Sequence, residues 1–203
     1  MKPPVVLLAT RNAGKLRELE ALFGAAGFKT VDLAGLEVEE EAAAESAIEA
    51  FDSFEANAIA KATYFYEVTG GVACVADDSG LEVSALAGAP GVRSRRWSEA
   101  GTDVANNAKL VASLKGATDR RAQFVCAAAF VGLGHELVVR GVAAGEIIDV
   151  PRGASGFGYD PHFLSAELGK TFAEASLAEK SRVSHRARAF SALLASIAAA
   201  PAR

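Results

Sequence analysis

The stretch PVVLLATRNAGK, Pro4 to Lys15, decides the fold. Pro4 to Ala9 is a short continuous apolar run, the pattern of a strand buried on both faces. A polar turn follows, Thr10-Arg11-Asn12-Ala13-Gly14. Beyond it Leu16, Leu19, Leu22 and Phe23 recur at helical spacing, and Gly24 and Gly27 mark the stop. Phe28 to Leu33 alternates as a second strand does. Strand, loop, helix and strand in that order predict an α/β protein.

The chain has 203 residues, of which 51% are hydrophobic and 23% charged, with a formal net charge of −4. That length suits one α/β domain over 1–203, or two lobes sharing a core. Neither an internal repeat nor a linker that would separate independent domains is visible. A weakly acidic chain does not coat nucleic acid through bulk charge, so any polyanion must be held by a local basic pocket. No apolar run reaches ~18 residues, so no membrane span is expected. Met1-Lys2-Pro3-Pro4 lacks a signal-peptide pattern. The two cysteines, Cys74 and Cys126, sit in apolar strand-like segments and read as reduced residues of a cytoplasmic protein.

Residues 31–60 hold nine acids and no Lys or Arg, which reads as a solvated acidic loop running into a helix. The helix is predicted from about Ser46 to Val68, with Ile48, Phe51, Phe54, Ala58, Ile59 and Ala62 on one side. Gly71 to Ala76 is a buried strand ending in Asp77-Asp78-Ser79-Gly80. Gly88-Ala89-Pro90-Gly91 is a turn, and Arg93, Arg95 and Arg96 follow beside Trp97. Val104 to Leu114 is predicted helical. Ala122–Val131 and Glu136–Val150 are predicted strands, joined as a hairpin at Gly132-Leu133-Gly134-His135. Pro151 to Pro161 is Gly-rich and irregular, and Ser184 to Ala200 is a terminal Ala-rich helix.

Several familiar patterns fail. Gly169-Lys170-Thr171 ends like a P-loop, but Leu164 stands where the first glycine must be. Gly156-Phe157-Gly158 starts like a dinucleotide fingerprint, but Pro161 holds the third glycine position. His135-Glu136 begins a zincin motif without its second histidine, and no Gly-x-Ser-x-Gly elbow occurs.

Four polar segments at predicted strand ends survive. Thr10 to Lys15 opens a helix, whose N-terminal N–H groups and dipole favour an anion, with Lys15 adding a point charge. Asp77 and Asp78 repel each other, a cost that a divalent cation or a shared proton relieves. Glu49 and Asn57 of the preceding helix could join that corner. In Pro151–Pro161, glycines admit close backbone approach, and Phe157 and Tyr159 offer faces on which a base could stack. Finally, Ser184 reads as an N-cap that places His185 and Arg186 in a first helical turn, where cations oppose the dipole unless an anion or polar ligand is near. Together with Lys180 these segments indicate Mg²⁺-dependent chemistry on a nucleotide.

Read in order, LLATRNAGKLREL, FEANAIAKA, VADDSGLEVSALAGAPGVRS, FVCAAAFV, PRGASGFGYDPHF and TFAEASLAEKSRVSHRARAF resemble the inosine triphosphate pyrophosphatases, also called dITP/XTP pyrophosphatases. The resemblance implies an elongated α/β fold with a long mixed β-sheet flanked by helices, and two lobes with a central substrate cleft, in a homodimer. It implies Mg²⁺-dependent hydrolysis of ITP, dITP and XTP to the monophosphate and pyrophosphate, which removes damaged purine nucleotides. By matching motif, Thr10, Arg11, Asn12, Ala13, Gly14 and Lys15 resemble the triphosphate loop, with Lys61 on the same phosphate-binding wall. Asp78 resembles the proton acceptor and metal ligand, Glu49 the second metal carboxylate, and Ser79 a substrate contact. Phe157, Gly158, Tyr159 and Asp160 resemble the base-stacking loop, while Lys180, His185 and Arg186 resemble the base- and phosphate-contacting group. Arg93 departs from the Tyr common in the GAPG-x-x-S segment, and Ala187 from a common glycine.

The mechanism expected from that resemblance is water attack on the α-phosphorus, with Asp78 accepting a proton or holding the metal. Lys15, Lys61 and Lys180 would stabilise charge on the leaving pyrophosphate. A donor aimed at a 6-keto group meets the amino group of adenine instead, a buried mismatch worth a factor of up to ~10⁴. Other readings are a pyrophosphatase of pyrimidine or modified nucleotides, a non-catalytic nucleotide sensor and, disfavoured by net charge, an RNA-binding protein.

Overall fold

The computed structural model describes residues 5–39, 45, 47–48 and 50–200. The opening prediction holds. Strand β1 (Val5–Leu8) leads into α1 (Ala13–Ala25), which returns as β2 (Lys29–Asp32), parallel to β1. Next come α2 (Phe54–Val68), β3 (Cys74–Val83), a 3₁₀ segment over Gly91–Arg96, and α3 (Asp103–Ser113). The hairpin strands β4 (Arg121–Gly132) and β5 (His135–Ile147) follow, then β6 (Phe163–Ser165), α4 (Leu177–Val183) and α5 (His185–Ala199). The sheet has six strands in the order β2-β1-β3-β4-β5-β6. It is mixed, since β1 is parallel to β3 while β6 is antiparallel to β5. The hairpin turns on Leu133 (φ 53°) and Gly134 (φ 78°); two consecutive left-handed residues match the twist of the strands they join.

The chain divides into two compact units: 1–78, 126–141 and 186–203 in the first, 79–125 and 142–185 in the second. Each has its own core. That of the first gathers Val6, Leu8, Leu19, Phe23, Val75, Phe130, Phe190 and Leu193. That of the second gathers Leu81, Leu110, Leu114, Phe124, Phe163 and Phe172. At ~25 cal/mol per Å² of apolar surface, clusters of fully buried Phe and Leu dominate the stability of both.

Three expectations are corrected. The helix predicted from about Ser46 is interrupted: residues 45, 47 and 48 are helical, residues 50–53 are not, and the helix from Phe54 to Val68 starts anew because Ser53 caps it, its Oγ accepting from the Ala56 N–H at 3.2 Å. Phe51, expected on its apolar side, is 51% exposed. The strand expected to end before Asp77 runs on to Val83, so Asp77 and Asp78 lie inside β3. The region after Pro161 also contains β6 and α4, which apolar periodicity did not predict. Helix α4 is nucleated by a capping box between Ser176 and Glu179, and Ser184, in extended conformation, separates it from α5. Among the described residues no helix is long and apolar enough to cross a membrane.

Candidate active site

The first unit carries the phosphate loop and the carboxylates. β1 and β3 pair with Leu7 opposite Cys74 and Leu8 opposite Val75. That register, continued by two residues, places Thr10 opposite Asp77, at the mouth of α1. Asn12 is the N-cap of α1: its Oδ1 accepts from the N–H groups of Gly14 at 2.8 Å and Lys15 at 3.0 Å. Thr10, itself buried, accepts from the Asn12 N–H at 3.2 Å. Two of the N–H donors expected to face an anion, those of Gly14 and Lys15, are therefore taken by the cap. Arg11 reaches into the acidic segment, pairing with Glu45 at 2.6 Å and donating to the Glu39 carbonyl at 3.0 Å.

Lys15, in the first turn of α1, donates to Asp77 Oδ2 at 2.9 Å. On the same carboxylate oxygen Arg186 Nε closes at 3.4 Å, and Arg186 also binds Glu18 at 3.0 Å. Asp77 and Arg186 are each 2% exposed. Burial raises the Asp77 carboxyl, but the charges of Lys15 and then Arg186 outweigh it and hold the group well below the usual carboxylate range. Lys61 on α2 adds to the same field. The Cys126 thiol lies 3.8 Å from Asp77, and burial, followed by that negative neighbour, pushes it well up. Burial likewise pushes Cys74 up to about 12, so neither thiol is a nucleophile near neutral pH.

Successive residues of a strand point to opposite faces. Asp77 thus enters the cationic cage while Asp78 faces the other way, half-buried. Its Oδ2 accepts from Asn57 Nδ2 at 2.9 Å. Asn57 is buried on α2 and clasps the Phe51 backbone at both polar groups, at 3.0 and 3.2 Å. One amide therefore joins Asp78 to a segment that begins two residues after Glu49 in the chain. Glu49 itself lies outside the described residues. Alternation and the cations facing Asp77 offset the repulsion expected between Asp77 and Asp78. Among the described residues no group of three or more His, Cys, Asp or Glu comes together as a metal site.

The second unit carries the aromatic loop. Asp160, 3% exposed, accepts from Lys180 Nζ at 2.6 Å and from the Phe157 N–H at 3.0 Å. Lys180, 8% exposed, lies 5.2 Å from the Phe157 ring and 5.4 Å from that of Phe172. Gly156 has φ 81°, and a Cβ there would come within 2.1 Å of the Asp160 carboxylate, so a larger residue would be strained and would displace that carboxylate. Tyr159 is buried, its hydroxyl donating to the Ser94 carbonyl at 2.7 Å; Phe157, 38% exposed, is the aromatic that offers a face. Ser79 is half-buried where the chain enters this unit. The His185 ring stacks on Phe124 at 4.8 Å between centroids. The chain passes between units after His185, so the adjacent His185 and Arg186 belong to different cores.

Glu18 was not singled out in the sequence. Its signal is its place three residues after Lys15 on one helical face. Asp103 and Asn107, which bind the Gly158 backbone, carry no sequence signal beyond their i, i+4 spacing.

A family model described as the Ham1 family matches residues 6–196. The chain is 48% identical over 197 residues to the dITP/XTP pyrophosphatase of Burkholderia pseudomallei, covering 94% of this chain and 91% of that protein. It is similar to the structure of a HAM1 protein from Coxiella burnetii, with TM-score 0.85, 33% identity, and 97% and 100% of the two chains covered. It is similar also to the crystal structure of the nucleoside-triphosphatase / dITP/XTP pyrophosphatase from Mycobacterium abscessus, with TM-score 0.73, 45% identity, and 94% and 98% covered. The mixed α/β fold and the relationship expected from the motifs are borne out: this chain belongs to the Ham1 family.

Proposed function

We propose that this protein is a nucleoside-triphosphate diphosphatase that hydrolyses dITP, ITP and XTP to the monophosphate and pyrophosphate. The observation that carries the reading is the division of labour between two adjacent acids. Asp77 is neutralised by Lys15 and Arg186, whereas Asp78 sits on the opposite face of β3 beside the Asn57 amide. A half-buried carboxylate whose orientation is fixed by a hydrogen bond is placed to accept a proton from a neighbouring water.

In this reading Asp78 takes the proton of the water that attacks the α-phosphorus. Asn57 fixes the carboxylate's orientation through its 2.9 Å bond. Lys15, held in place by Asp77, and Lys61 meet the charge that develops on the leaving pyrophosphate. Thr10, Arg11, Asn12 and Ala13 form the rim of that phosphate wall.

The hard oxygen donors of Asp78 and Glu49 fit Mg²⁺, and Asn57 ties the segment after Glu49 to Asp78. Mg²⁺ held there would neutralise the triphosphate and acidify the attacking water. Base roles fall to the second unit, where the Phe157 ring stacks on the purine and Lys180, through Asp160, holds the loop. Ser79, Gly158, Tyr159, His185 and Arg186 complete the substrate contacts implied by the family motifs. We place the enzyme in the cytoplasm as a homodimer, which light scattering of the purified protein tests directly.

The deciding experiment is a panel of nucleoside triphosphates with pyrophosphate release as readout. ITP, dITP and XTP should exceed ATP in kcat/KM by at least ~10², because a donor facing a keto oxygen is left unpaired against an amino group. Equal values for ITP and ATP would overturn the base reading, and full turnover in excess EDTA would overturn the metal.

A further inference from the structure

The loop that carries Phe157 is held from outside itself. Gly158, next to Phe157 in the chain, has φ 61° and donates its N–H to Asp103 Oδ2 at 2.7 Å. Its carbonyl accepts from Asn107 Nδ2 at 2.9 Å. Asp103 and Asn107 stand one turn apart on α3, so one helix face grips both polar backbone groups of a single loop residue. The Asp103 bond is charge-assisted, hence shorter and stronger than an amide–amide bond. Tyr159 feels the same carboxylate: burial raises its phenol, and the Asp103 charge raises it further.

Helix α3 is itself fixed. Thr102 caps it, accepting from the Ala105 N–H at 3.2 Å. Asn106 accepts from the Ser98 N–H at 2.7 Å and donates to the Arg95 carbonyl at 3.0 Å, and Leu110 is buried in the core. The Asn107 side chain, by contrast, gives its amide to Gly158 while its Oδ1 is buried without a hydrogen bond among the described residues. An asparagine retained only for stability would satisfy both ends, since an orphaned buried acceptor costs ~1–3 kcal/mol.

We infer that Asp103 and Asn107 are positioning residues that preset the Phe157 ring for the purine and so set KM and base selection, while chemistry at Asp78 proceeds without them. The inference rests on the reading of Gly156–Asp160 as the base loop. A loop already ordered in its bound shape saves the ordering cost on binding, and a loop released from the clamp must be ordered by the substrate.

The test is steady-state pyrophosphate release from ITP and ATP by D103A, N107A, D103N and F157A, with a thermal melt of each. D103A and N107A should each raise KM for ITP about fivefold, the effect of one lost hydrogen bond, with kcat changed by less than about twofold. Their ITP-to-ATP preference should fall. D103N should recover most of the loss, because its amide oxygen still accepts from the Gly158 N–H. N107D serves if N107A does not fold; it keeps the volume and removes the donor, and the same rise in KM is expected. Wild-type KM in D103A and N107A beside a raised KM in F157A overturns the clamp and leaves the base loop standing, and a lowered melting temperature with unchanged KM overturns the clamp as well. Wild-type KM in F157A overturns the base-loop reading and the inference with it.

Discussion

Two buried carboxylates, Asp77 in the first unit and Asp160 in the second, are handled in opposite ways. Asp77 sits in the middle of a ten-residue strand and faces two cations, one of which has a second acid in Glu18. Asp160 sits in an irregular loop and accepts from Lys180 and from the Phe157 N–H. The strand acid closes a balanced cluster whose members come from β3, α1 and α5. The loop acid ties together residues only a few positions apart, plus one lysine of α4. The difference teaches what each is for. A caged strand acid fixes Lys15 in the first turn of α1, beside the loop where a polyanion can meet it. A loop acid bonded to the Phe157 N–H and to Lys180 fixes the shape of a loop whose aromatic stays exposed.

If the cage around Asp77 leaves the chemistry to its neighbour, Asp78→Asn should show the largest effect. The change is nearly isosteric, so the fold should hold while kcat falls ~10²–10⁴-fold. Retention of more than a tenth of wild-type kcat would sink the assignment.

Asp77→Asn should act on stability first. It leaves Lys15 and Arg186 with less counter-charge in a buried place, and breaking such a cluster costs ~3–5 kcal/mol. The sign with pH follows from the depressed carboxyl: the stabilisation is full above the ordinary value near ~3.9 and is lost as pH falls from there through the depressed folded value. Denaturant melts of both proteins at pH 7 and at successively lower pH should therefore converge toward the acid end. A constant gap would contradict the caged-carboxylate picture.

Asp160→Asn should cost less, ~1.5–3 kcal/mol, the range for a hydrogen bond to a charged group such as Lys180. Its mark should be a raised KM for ITP. A loss as large as that of Asp77→Asn would erase the contrast between the two acids. Smallest of all should be Glu45→Gln, which breaks the exposed pair with Arg11 and should shift stability by less than ~1 kcal/mol.

The α/β class, the opening strand–helix–strand and the hairpin at Gly132–His135 were legible from the chain alone. Apolar runs and glycine positions report local burial and turn geometry directly. The candidate residues as a set were named from motif order and spacing, which need no coordinates. The roles within the set were not legible. Asp77-Asp78 reads as one repelling pair until β3 is seen to continue to Val83, because alternation separates the two only inside a strand. Asn12 reads as one residue of an anion loop until its side-chain Oδ1 is found capping α1. Tyr159 and Phe157 read as equals until one is buried on Ser94 and the other exposed. Arg186 finds Asp77 across 109 positions of sequence and Glu18 across 168, distances that no local pattern encodes. Periodicity speaks for neighbours along the chain; which charge neutralises which is decided by the folded sheet that brings distant segments together.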